Sequence, residues 1–228
     1  MADYQITGSG ILILDRVTPV IRALFGAYGL NEIAQNGEPF KAIISIQDSH
    51  APQWADIRNG LEALSVSLGL VPGAVGAPMV RTIQVLEEHY GTAADRDRHD
   101  YFERLSLDKQ AKLEVVLHLA HCLDDGHRLQ AIAFEEAIRS AKSVAFGFGG
   151  AGRYLSREVC HYVDSSHALV IGRLLHRAYA VADTELAADV ITHEVDRLLA
   201  GVRNRAFRHE LRTRVGENLI NSLIARPE

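Results

Sequence analysis

Apolar positions follow two regimes along the chain. In the first third, short runs alternate with helical stripes. Ile11-Leu12-Ile13-Leu14 follows Gly8-Ser9-Gly10 and predicts a buried strand entered from a turn. Thr18-Pro19 reads as an N-cap with proline at the first helical position, and Val20, Ile21, Leu24, Phe25 and Tyr28 form one helical face ending at Gly29. After the turn-like Asn36-Gly37-Glu38-Pro39, Ala42 to Ile46 predicts a second strand. Pro52 opens a helix carrying Trp54, Ile57, Leu61, Leu64 and Leu68, with Gly69 at its end. The result is β-α-β-α, too short for a full nucleotide-binding domain.

Residues 69–78 are rich in glycine and proline and read as a linker. Beyond them the pattern predicts helices over 78–91, from Ser106 through Leu123, over 129–145, 153–163, 167–181 and 185–202, and a last one ending near Ile224. In the segment 185–202, Leu186, Val190, Val195, Leu198, Leu199 and Val202 share a face. The charged run Asp95 to Asp100 reads as a solvated connection. The expected fold is mainly α: a helical bundle over 78–228 with a small N-terminal β-α-β-α segment over 1–77, α+β overall. One continuous domain is the alternative division.

Composition adds boundaries. The chain has 228 residues, enough to bury a core, and 47% hydrophobic with 23% charged residues is globular composition. A net charge of -5 argues against a protein that coats nucleic acid nonspecifically, because such binding rests on many cation–phosphate contacts. Cys122 and Cys160 lack metal-ligand spacing and read as free thiols in a reducing compartment. No signal-peptide pattern and no membrane-length apolar run occurs, so the expected location is the cytoplasm, without membrane contact.

Arg203-Asn204-Arg205-Ala206-Phe207-Arg208-His209 carries the first chemical signal. An arginine, a small polar residue and a histidine a few positions on resemble the ribonuclease motif of the HEPN superfamily. That resemblance covers this heptapeptide and implies a dimeric helical protein that cleaves RNA without metal. Arg203 would stabilise the scissile phosphate, His209 would transfer protons, and Asn204 would position the two. On one continuous helix Arg203 and His209 point about 120° apart, so this reading requires a helix break or a second subunit. Independently, Arg205, Arg208, His209 and Arg212 fall on one helical side and could bind phosphate or an acidic partner surface.

Three further patterns compete with plain structural roles. Glu114, His118, His121 and Asp125 recur at spacings that place them on one helical face, as weak metal-ligand candidates. Four side chains along one straight helix span too far to surround an ion, so Glu158 and His161 would have to help. Residues 147–152 satisfy G-x-G-x-x-G, but the dinucleotide fingerprint needs a preceding strand, and the pattern here predicts a helix. Asp164-Ser165-Ser166-His167 reads as a helix cap. No metal or cofactor is therefore expected.

The reading with most support is a nonenzymatic helical interaction or regulatory protein, or a complex subunit, acting through an exposed helix face. A protein partner or self-association is expected, with RNA as a further possibility. A metal-independent ribonuclease of HEPN type is the alternative, so whether the chain is an enzyme stays open at this point.

Overall fold

A computed structural model of the chain describes residues 4–33, 41–47, 51–70, 79–91, 96–140 and 147–224. The chain divides into two compact units, Met1–Gly150 and Ala151–Glu228. The expected linker falls largely on 71–78, outside the described residues.

In the first unit the central strand is β1 (Tyr4–Ile13). It pairs antiparallel with β3 (Lys41–Ile46) on one side and with β4 (Ala131–Ser140) on the other, so that Leu12 lies between Ala42 and Ile132. The short β2 (Asn31–Ile33) pairs with the far edge of β3. Leu12, Ala42, Ile44, Ile46, Ile132 and Phe134 are buried, while Ile11, Ile13, Ile43, Ser45, Ala133 and Glu135 between or beside them are not fully covered. This alternation puts the apolar set on one face of the sheet.

Helices α1 (Pro19–Phe25), α2 (Trp54–Ser67), α3 (Met79–Tyr90), α4 (Arg96–Glu103) and α5 (Leu113–Cys122) supply the rest of the core. Thr18 caps α1 and Pro19 opens it as its sequence predicts, and Gly29 stops the following 3-10 turn at φ 62°. Leu24, Ile57, Leu61, Ile83, Leu86, Val116 and Leu119 are fully buried. Tyr28 Oη donates to the Ala111 carbonyl at 2.9 Å, anchoring the α1 end to the chain ahead of α5.

In the second unit, β5 (Phe148–Ser156), which begins at the end of the first, forms a hairpin with β6 (Cys160–Asp164). Helices α6 (Ser165–Ala180), α7 (Thr184–Ala200) and α8 (Arg205–Ile224) follow at the positions expected from periodicity. Of the expected face on α7, Leu199 is buried and Leu186, Val190 and Val195 are half-buried, whereas Leu198 is exposed.

The expected fold class is overturned. Among the described residues there are eight α-helices and one six-stranded antiparallel sheet of order β2-β3-β1-β4-β5-β6, a mixed α/β architecture rather than a mainly helical bundle. Two segments account for the difference. Within the helices expected over 129–145 and 153–163, residues 131–140, 153–156 and 160–163 are strand instead. Ala, Glu and Arg in 131–140 favour helix locally, but Ile132 and Phe134 are buried while Glu135, Ala137 and Arg139 are exposed, the signature of a strand. Pairing along all ten residues of β1 overrides propensity here.

Gly8 and Gly10 belong to the interior of β1 rather than to a turn. A Cβ at Gly8 would lie 2.6 Å from the Phe134 ring, and one at Gly10 would lie 2.7 Å from it, so the glycines make room for that ring. The run expected as a solvated connection contributes to α4, whose Phe102 meets Trp54 edge-on at 5.6 Å. The helix expected from Ser106 starts only at Leu113, because residues 109–111 exchange backbone bonds with 52–54 (Trp54 N to Lys109 O, 3.0 Å; Ala111 N to Pro52 O, 2.7 Å).

Candidate functional site: a basic cleft in the second unit

The chain leaves α7 at Ala200 and re-enters helix at Arg205. In between, residues 201–203 run beside the start of β6: Cys160 N donates to Gly201 O (2.8 Å) and Arg203 N to Glu158 O (2.7 Å). Gly201 is required by this approach, since a Cβ there would lie 2.6 Å from the His161 ring and 2.7 Å from the Cys160 carbonyl. Asn204 then caps α8, its Oδ1 accepting from Phe207 N at 2.9 Å.

This break turns the N-terminal half of α8 toward the end of α7. Arg205, Arg208, His209 and Arg212 line a cleft of about 370 Å³ together with Asp196 and Ala200 of α7. Two of its arginines are already held. Arg212 Nη2 donates to Asp196 Oδ1 at 2.7 Å, and Arg208 Nη1 donates to the Val202 carbonyl at 3.2 Å. All four residues expected on one helical side thus share one concave surface. Asp196 and Ala200 went unnoticed in the sequence, because nothing local links position 196 to position 212.

The three residues matched to the ribonuclease motif are not gathered in that cleft. His209 lines it, Asn204 serves as the helix cap, and Arg203 lies in the loop, exposed and absent from the lining. The required helix break exists, but it does not bring Arg203 into the lining beside His209.

The metal candidates of α5 serve separate purposes. His121 Nε2 donates to the Leu129 carbonyl (2.9 Å), His118 stands 4.0 Å from the Cys122 thiol, and Asp125 Oδ2 accepts from Val20 N (3.1 Å) at the start of α1. Among the described residues, the grouping close enough to hold an ion is instead Asp124, Asp125 and His127, and Glu114 stands outside it. Its imidazole is fully engaged: Nε2 donates to the Ala120 carbonyl (3.0 Å) and Nδ1 accepts from Leu129 N (2.8 Å). Asp124 accepts from Gly126 N at 2.9 Å. Burial pushes its carboxyl upward, but this and neighbouring backbone bonds, with His127, hold it below the ordinary range. These groups build a turn and fit a cation poorly.

Residues 147–152 run from a buried glycine into strand β5, so no phosphate-cradling turn before a helix forms. Asp164 caps α6 as expected, accepting from His167 N (2.9 Å) and from the Ser166 hydroxyl (2.5 Å). Glu158 accepts a bond from Ser156 Oγ (3.2 Å) and His161 lies against Gly201. Cys122 and Cys160 are free thiols. Among the described residues, no helix is long and apolar enough to cross a membrane. Comparison with family models, curated proteins and solved structures found no match.

Proposed function

We propose that the chain is a nonenzymatic interaction protein, a complex subunit or regulator whose second unit docks through exposed helix faces. What supports this is the thinness of that unit's own core. Helices α6, α7 and α8 bury only Ala178 and Leu199 among their described side chains. Leu169, Val170 and Leu174 of α6, Ile191 and Leu198 of α7, and Phe207, Leu219 and Ile220 of α8 stay 41–61% exposed. Soluble proteins tolerate scattered exposed leucines, but not so many large apolar side chains over so few buried ones.

The cover this unit needs is permanent. A second copy of the chain is present at the required stoichiometry whenever the protein is made, which favours self-association. Light scattering on the purified full chain tests it: the expected mass is a multiple of 25.1 kDa. Leu174→Glu and Ile191→Glu should shift it toward the monomer with helix content kept. A monomer at every concentration would remove the self-association reading. Metal-independent RNA cleavage that disappears in both Arg203→Ala and His209→Ala would replace the proposal with a ribonuclease.

A further inference from the structure

The basic cleft has a charge and size of its own, independent of the apolar faces. Its lining sets three arginines against one carboxylate, an excess of two positive charges on a chain whose net charge is -5. Guanidinium groups do not lose their charge in proteins, and their forked donors match tetrahedral oxyanions. Arg212 donates to Asp196 and Arg208 to the Val202 carbonyl, which holds them at the wall. Among the described residues, the side chains of Arg205 and His209 form no hydrogen bond or ion pair. A loose pair beside an anchored pair leaves donors free to close on a ligand.

We infer that this cleft binds a small phosphorylated ligand, a phosphomonoester or pyrophosphate group presented by a molecule of about nucleotide size. A phosphomonoester carries about -1.5 to -2 near neutral pH and so matches the excess charge of the lining, whereas a single carboxylate would leave it half neutralised. A volume of about 370 Å³ sits at the lower end of ligand sites, enough for the phosphate and part of what it is attached to. Long nucleic acids are disfavoured, because their binding draws on many spread cations and the chain as a whole is acidic. Asp196 works against the ligand: it occupies Arg212 and repels the incoming anion.

Calorimetric titration of the full chain with inorganic phosphate, pyrophosphate and adenosine monophosphate tests the inference. Saturable binding is expected with at least one of them. Arg205→Gln, which breaks no hydrogen bond or ion pair among the described residues, should weaken it about tenfold, as should Arg212→Gln. Asp196→Asn should strengthen it severalfold, the opposite sign from any loss by misfolding. Arg214→Gln, whose side chain pairs with Glu217 at 3.0 Å and does not line the cleft, should leave it unchanged. Circular dichroism of each variant checks that its helices persist. No saturation up to about 10 mM of any probe, or affinities indifferent to Arg205→Gln and Asp196→Asn alike, overturns the inference. So does binding that appears only with single-stranded RNA and grows with its length. None of these results depends on whether the chain self-associates, so this inference and the proposed function fail separately.

Discussion

His167 Nε2 and Glu194 Oε2 stand 2.6 Å apart, joining the first turn of α6 to the middle of α7, and Arg197 Nε adds a second bond to the same oxygen at 3.0 Å. Burial pushes the Glu194 carboxyl upward, yet the bonds and charges of His167 and Arg197 more than offset it, so its pKa lies below the ordinary value. Asp164 is held down in the same direction, first by the Ser166 hydroxyl and then by His167 N. A carboxyl lowered in the folded state stabilises fully above its unfolded pKa, and that contribution disappears as pH falls through the folded one. The thermal midpoint of the helical signal should therefore drop between about pH 5 and about pH 3. Glu194→Gln should have a lower midpoint at pH 6 and a shallower acid dependence. An unchanged acid profile in this variant would show that the pair does not hold α6 to α7.

The single tryptophan, Trp54, is 1% exposed and belongs to the first unit. Its emission reports that unit alone, whereas far-ultraviolet circular dichroism reports both. If the second unit's thin core makes it the weaker one, helical signal should be lost at lower urea concentration than Trp54 emission shifts to the red. Coincident transitions would mean that the two units unfold as one.

Gly60 lies in the middle of α2, where a Cβ would run into the backbone carbonyl of Ala23 in α1. Two effects oppose each other in Gly60→Ala. Alanine improves helix propensity by about 1 kcal/mol, but overpacking against a backbone atom costs typically about 1–3 kcal/mol. Since the obstacle is backbone and not a movable side chain, the second effect should win. Urea denaturation followed by Trp54 emission is expected to give a net loss of up to about 2 kcal/mol, and a gain in stability would contradict the close packing of α1 on α2.

His127 is 1% exposed and uses both ring nitrogens in backbone bonds. His127→Ala strands the Ala120 carbonyl and the Leu129 N–H in the interior and should cost about 2–4 kcal/mol. EDTA should leave the midpoint of the unaltered protein where it was. A midpoint that falls on chelation and recovers with zinc would make Asp124, Asp125 and His127 a metal site after all.

The helices α1 and α2, the strand β3 and the end of β1 were readable because their signals are local: Thr18-Pro19 caps α1, and the run through Ile46 has no polar interruption long enough to suit a surface helix. The charge stripe on α8 was readable for the same reason, since Arg205, Arg208, His209 and Arg212 are related by helix geometry alone. The cleft was not, because its acidic wall comes from Asp196 on another helix. The Asn204 cap is equally local in origin, its Oδ1 reaching Phe207 N three residues on.

What the chain's own letters determined are the elements whose stabilising contacts lie within a few residues: α1, α2, α3 and α6 to α8, with the caps at Thr18 and Asp164. What only tertiary structure decided is the state of residues 131–140 and 148–164 and the way Asp196 meets Arg212. A strand is completed by hydrogen bonds from a partner far along the chain, so Ala131 to Ser140 turn from latent helix into strand only when β1 lies beside them. Helical bonds close within four residues, which is why the helices could be read one by one and the sheet could not.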